Sequence, residues 1–291
     1  MTKPISRAGG LPAPTVVRAF DLGAAGPYSI AVAPDGTLWV TLVATGELLR
    51  RAADGSERRF EVGERPGVVA VGPTGAWCTV TGEDRLVRVA GDEATVLAAP
   101  GGPYGIAVGR DGVWVSLMEA NALSSVAPDG TTGEVALPVE GAFPAMVALQ
   151  ADGSVWAALN QAGSLVRRDP AGDLELVDLP DGAAPVGIAV AGDDVWAADI
   201  AGGRMLQVDA GRRVREFALG SDSRPHAVVA DSTGCWFTEW GADRLGRIDA
   251  TGRLSEFDLS GFGEEPHGLT VDADGVVWVA FESGSVAGFR A

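Results

Sequence analysis

Short apolar, β-branched runs separated by polar turns follow one another along the chain with a period of about 40 residues. Seven stretches align on that period: "PYSIAVAPDGTLWVTL", "PGVVAVGPTGAWCTV", "PYGIAVGRDGVWVSL", "PAMVALQADGSVWAAL", "PVGIAVAGDDVWAAD", "PHAVVADSTGCWFTE" and "PHGLTVDADGVVWVAFE". Each has a proline, a first strand-like run, a D-G-like turn and a second run opened by tryptophan (Trp39, Trp77, Trp114, Trp156, Trp196, Trp236 and Trp278). A third run such as "RLGRIDATG" and a fourth such as "RVREFALG" complete most repeats. Four strands at this period predict a blade of a β-propeller. The last repeat stops after its third run, "SVAGFRA", and the missing partner stands at the other end of the chain in "VVRAFDLG", Val16 to Gly23. The expected fold is therefore all-β, a seven-bladed β-propeller of four-stranded blades, with the N-terminal strand closing the last blade and removing an exposed edge. Residues 1–13 read as a flexible lead-in and residues 14–291 as a single propeller domain.

The repeated tryptophans need only packing between blades to explain them, and the D-G pairs are hairpin turns. The arginine pairs at 50–51, 58–59, 167–168 and 212–213 fall in outer runs and read as solvated faces.

Composition narrows the partners. Twenty-two Lys and Arg against 39 Asp and Glu give a net charge of −17. Such a surface repels phosphate backbones and anionic lipid, so neither nucleic acid nor membrane is an expected partner, whereas metal cations are attracted. Cys78 and Cys235 are too few for a disulfide framework or a zinc site, which suits a reducing cytoplasm. The first residues lack the apolar stretch of a signal peptide, and no apolar run is long enough to span a bilayer. A cytoplasmic monomer is expected.

Candidate chemistry gathers at one ring position. The first strand of each blade lines the central channel, so the residue after each proline should stand near one mouth. Around the ring these are Tyr28, Gly67, Tyr104, Ala145, Val186, His226 and His267, which include every histidine and every tyrosine of the chain. The histidines belong to blades 6 and 7, and Tyr28 to blade 1, which adjoins blade 7 once the ring closes. Glu265 lies two residues before His267 and shares its strand face if the strand reaches that far. The second strand returns to the same mouth, bringing Glu282 in blade 7 and Glu239 in blade 6, where other blades have Leu42, Val80, Leu117, Leu159 and Asp199. Glu239 also reads as a partner for Arg244 or Arg247, Asp199 and Trp240 read equally as packing or as pocket lining, and Tyr104 reads equally as channel lining or as a functional group. Two carboxylates with water in the remaining positions suit Mg²⁺, whereas the histidine spacing does not favour zinc.

These residues bear a likeness to a known family. The chain resembles the virginiamycin B lyase, or streptogramin B lyase, family across essentially all its blades, most strongly in "RPHAVVADSTGCWFTEWGADRLGRI" (Arg224 to Ile248) and "EEPHGLTVDADGVVWVAFE" (Glu264 to Glu282). The resemblance implies Glu265 and Glu282 as Mg²⁺ ligands, His267 as the proton acceptor, and His226 and Tyr28 as substrate contacts. It further implies a lyase that linearises a small cyclic peptide lactone by elimination at a threonyl ester. Blades 1 to 5 depart from the family by carrying "WVTL", "WCTV", "WVSL", "WAAL" and "WAAD" where the family mostly shows "WFTE", and the blade-7 hairpin appears one residue longer. A metal-dependent lactone hydrolase or a non-catalytic ligand-binding propeller on the same fold are the alternatives.

Overall fold

A computed structural model describes residues 11–290. Its strands form seven antiparallel four-stranded sheets, each built from sequence-adjacent strands except one. Blade 1 runs from Pro27–Val32 at the channel through Leu38–Leu42 and Glu47–Arg51 to Glu57–Glu61 at the periphery. The inner strands of blades 2 to 6 are Pro66–Gly72, Pro103–Gly109, Pro144–Leu149, Pro185–Ala191 and Pro225–Asp231. Blade 7 combines Pro266–Val271, Val277–Phe281 and Ser285–Arg290 with the N-terminal strand Thr15–Asp21. That last pairing is antiparallel, from Thr15 opposite Arg290 to Asp21 opposite Ser285. Inner strands touch those of both neighbours, blade 7 against blade 1 included, so the ring closes. Of the expected lead-in, residues 1–10 lie outside the described residues, and Pro12 accepts a hydrogen bond from Asp258 N at 3.1 Å.

Burial explains the hydrophobic pattern. Second strands such as Leu38–Leu42, Val155–Leu159 and Val277–Phe281 are buried at every position, because adjacent blades cover both faces and leave no site for a polar alternation. Outer strands such as Glu57–Glu61 bury one residue in five, Phe60. The tryptophans pack between blades as expected. Trp39 of blade 1 lies with Val69, Ala76 and Cys78 of blade 2, and Trp77 with Ile106 and Val115 of blade 3.

The arginine pairs depart from the expected solvated faces. Arg50, Arg168 and Arg212 stand over the rings of Trp39, Trp114 and Trp156, with guanidinium carbons 6.0, 5.1 and 5.1 Å from the ring centroids. Their flat cations cap the outward faces of interblade aromatics.

Two features of each inner strand shape the mouth. Pairing with the second strand breaks just after the proline: Pro266 faces Phe281, yet the next partners are Leu269 and Val279. The same irregularity follows every other inner-strand proline. It is a bulge, which re-aims side chains at a strand end. The residue before the proline is left-handed in six blades: Gly26, Arg65, Gly102, Phe143, Arg224 and Glu265, with φ between 43° and 72°. In all seven blades that residue's carbonyl accepts a hydrogen bond from the residue just past the second strand, at 2.9–3.3 Å. The bonded pairs are Val43 to Gly26, Thr81 to Arg65, Met118 to Gly102, Asn160 to Phe143, Ile200 to Ala184, Trp240 to Arg224 and Glu282 to Glu265.

Candidate active site

The bulge and the left-handed residue bring the chain's scarce aromatic and imidazole groups together. The rings of His226 and His267 lie edge to face, 4.7 Å between centroids. Tyr28 lies 4.5 Å from His267 across the blade 7–blade 1 seam and 6.1 Å from His226. Trp240 comes within 5.8 Å of His267 on the other side, with the Arg224 guanidinium 5.5 Å from its ring centroid. Tyr104 reaches across from blade 3, its hydroxyl 2.6 Å from that of Tyr28. The expected convergence at one mouth is therefore present for Tyr28, His226 and His267. Tyr104 and Trp240, left open in the sequence, belong to the same cluster.

Glu282 joins it: Oε2 lies 2.7 Å from His267 Nε2. That close approach is not aligned as a hydrogen bond. Both nitrogens of His267, Nδ1 of His226 and Nε1 of Trp240 are buried without a hydrogen-bond partner. Buried polar atoms are almost always paired in a folded protein. Four such atoms on three neighbouring side chains, one of them facing the Glu282 carboxylate, mark this mouth as the candidate ligand site.

Glu265 is held differently from the expectation. The inner strand begins at Pro266, so strand alternation does not extend to Glu265 and cannot be what aligns it with His267. Its backbone takes φ 58°, an unusual choice for a residue with a side chain, especially before a proline. Two bonds enforce it: its N–H donates to Asp243 Oδ1 of blade 6 at 2.8 Å, and its carbonyl accepts from Glu282 N at 3.1 Å. The exposed Glu265 and the half-buried Glu282 are thus fixed opposite each other by their backbones. Asp243 was missed in the sequence. Its recurrence as Asp84 before the third strand of blade 2, where Oδ1 accepts from Gly102 N at 2.9 Å, was the available signal.

Glu239 is not the counterpart of Glu282. Pro225 pairs with Glu239 as Pro266 pairs with Phe281, so Glu282 corresponds to Trp240, one residue further on. The blade-7 hairpin is nonetheless one residue longer than that of blade 6: Leu269 pairs with Val279 where Val228 pairs with Phe237. Glu239 is fully buried, with Oε2 3.7 Å from Arg244. Asp199, at the same position in blade 5, binds Arg204 Nε at 2.7 Å and the amides of Ala184 and Gly202. Both carboxylates hold strands together.

Electrostatics favour neutral imidazoles. Burial, reinforced by the neighbouring His267, pulls His226 down to about 3. Burial alone pulls His267 down to about 4. Both rings are uncharged near neutral pH and free to accept a proton. Tyr28 is raised well above its ordinary value by burial and then by Tyr104, so it stays a protonated donor.

Glu265 and Glu282, linked by a backbone hydrogen bond, are the oxygen donors this mouth offers to a hard divalent cation. Among the described residues no three His, Cys, Asp or Glu side chains are gathered as a metal cage. What is present is a pair of carboxylates, one partly open to water, an arrangement that suits Mg²⁺ retaining several waters. Among the described residues no helix is long and apolar enough to cross a membrane.

Comparison with known proteins places the chain in a family. A family model described as the virginiamycin B lyase family matches residues 16–289. A virginiamycin B lyase from Nocardia farcinica is 39% identical over 185 residues, covering 62% of this chain and 64% of that relative's length. The crystal structure of virginiamycin B lyase from Staphylococcus aureus superposes with a TM-score of 0.88 at 25% identity, covering 94% of this chain and 98% of that one. A catalytically inactive histidine-to-alanine variant of the same enzyme, solved with quinupristin, gives 0.87 at 25% identity, covering 94% and 99%. With all seven blades inside the matched region, the chain belongs to the virginiamycin B lyase family.

Proposed function

We propose that this protein inactivates streptogramin B-type antibiotics by linearising their cyclic depsipeptide lactone through elimination at the threonyl ester. The observation that carries the reading is the convergence of His267, His226, Tyr28 and Glu282 at one channel mouth, with Glu282 against His267 Nε2 and Nδ1 of both imidazoles buried without a hydrogen-bond partner.

His267 acts as the base. Neutral at working pH, a ring nitrogen takes the Cα proton of the threonyl unit. The C–H electron pair becomes the Cα–Cβ double bond, the Cβ–O bond breaks, and its electrons leave on the ester oxygen as a carboxylate. Glu282, against His267, stabilises the imidazolium as it forms. His226 and Tyr28 flank the base and orient the peptide ring. Glu265 and Glu282 would hold Mg²⁺, which when bound supplies electrophilic polarisation of the carbonyl beside the acidic C–H. The products are a dehydrobutyrine and a free carboxylate in one linear peptide.

Incubation with a streptogramin B followed by mass analysis tests this. Elimination yields a linear product of unchanged mass, while a gain of one water identifies a hydrolase and refutes the proposed reaction. Chelation with EDTA should abolish turnover, and Mg²⁺ should restore it; a full rate after chelation would remove the metal from the scheme.

A further inference from the structure

Tyr28 and Tyr104 are the only tyrosines in the chain. They occupy the same position in blades 1 and 3, and blade 2 between them offers Gly67, which has no side chain. Across that gap the phenol oxygens approach to 2.6 Å. The backbone that carries the far phenol is firmly placed. Thr79 Oγ1 donates to the Tyr104 carbonyl at 2.8 Å. The next residue, Gly105, lies so close to blade 4 that a Cβ there would stand 2.4 Å from the Ala145 carbonyl oxygen.

Either hydroxyl can donate in this contact, and the two directions have different consequences for the site. Burial keeps both phenols protonated, so two O–H groups share one hydrogen bond and one proton is left over. If Tyr28 donated to Tyr104, its only proton would be consumed away from the imidazoles. If Tyr104 donates, the proton of Tyr28 stays free beside His267, and the accepted bond strengthens Tyr28 as a donor. We infer that Tyr104 is a positioning residue that fixes the Tyr28 hydroxyl and polarises it toward the substrate oxygen on which charge develops as the lactone opens. The inference deepens the proposed lyase reading and rests on it for the identity of that oxygen. Tyr104 acts only through Tyr28.

The test is a double-mutant cycle on the full chain with a streptogramin B as substrate. Tyr104→Phe keeps the ring and removes the oxygen. Its kcat should fall about fivefold to tenfold, the weight of one hydrogen bond, with KM within about twofold. In a Tyr28→Phe background the same change should have no further effect. A wild-type kcat for Tyr104→Phe, or an effect of equal size in both backgrounds, overturns the inference. A purely structural role would lower the melting temperature without coupling to Tyr28.

A second measurement is independent of turnover. Tyrosine labelled with ¹³C at Cζ gives two signals, and Tyr104→Phe should shift the one that remains. An unmoved Tyr28 signal overturns the pair itself. If the wild type fails to convert the substrate while the Tyr28 signal shifts, the proposed function falls and the hydroxyl pairing stands.

Discussion

At the scale of single residues, the two imidazoles that the proposed reaction depends on also carry a cost to folding. His267→Ala should lose about a hundredfold or more in turnover, the usual contribution of a general base, with the fold intact. A variant that keeps the wild-type rate would exclude His267 as the proton acceptor. The folding cost is visible in pH dependence. His226 and His267 are pulled down to about 3 and about 4 in the folded protein, from an ordinary value near 6.5. Between those limits the unfolded chain binds more protons than the folded one. Stability is therefore complete above about pH 6.5 and falls as the pH drops toward 4. In the window from pH 6.5 to 5, above the carboxylate range, His226→Gln should flatten the slope of unfolding free energy in chelator-treated protein by up to about 1.4 kcal/mol per pH unit. An unchanged slope would mean that His226 is solvated. Much of this scale was legible: only two histidines and two tyrosines exist, and all four fell on one repeat position. Tyr104 could not be assigned from sequence, because its contact with Tyr28 joins blades that are not adjacent.

At the scale of the strand, the same backbone device is repeated and its contents vary. Each mouth position combines a left-handed or small residue before the proline, a bulge after it, and a hydrogen bond from the end of the second strand. None of these was legible, since bulges and positive φ leave little trace when Arg65, Phe143 and Glu265 occupy sites that favour glycine. This is why Glu265 was placed by strand alternation, and why Glu239 was aligned with Glu282 when its true counterpart is Phe281. A buried hydroxyl on the second strand adds a staple between blades. Thr238 Oγ1 accepts from Ala227 N at 3.1 Å and donates to the His267 carbonyl at 2.8 Å. Ser116 makes the same link from Gly105 N to the Ala145 carbonyl, at 2.8 and 2.5 Å. Thr238→Val should cost about 1–3 kcal/mol of stability by leaving buried partners unpaired. It should also lower turnover by shifting His267, and Thr238→Ser should restore both. Ser116→Ala, whose staple ends beside Tyr104 and not at an imidazole, should show the stability loss with no more than the smaller activity loss assigned to Tyr104. Equal activity losses in the two variants would mean that the staple acts only through global stability.

At the scale of the whole molecule, the site is built on the seam of the ring. Blade 7 supplies Glu265, His267 and Glu282, and its outer strand is Thr15–Asp21, from the opposite end of the chain. The seven-fold repeat and the truncated last copy made this closure readable, because "VVRAFDLG" fits the outer-strand pattern found elsewhere. Closure acts through packing as well as pairing. Phe20 lies 6.5 Å from the Trp278 ring, the Arg51 guanidinium stands 4.3 Å from the Phe20 centroid, and Leu22 N donates to Gly284 O at 2.7 Å. Gly284 ends the same short turn that carries Glu282. Removing residues 1–21 would expose the Ser285–Arg290 edge, strip Phe20 from Trp278 and leave that turn held from one side only. The truncated protein should melt at a lower temperature, self-associate through the open edge, and lose affinity for Mg²⁺ before it loses its strand content. Calorimetric titration of Mg²⁺ beside far-ultraviolet circular dichroism separates the two effects. Wild-type metal affinity and melting temperature in the truncated chain would show that six and three-quarter blades suffice to hold the mouth, and that the seam position of the site has no functional weight.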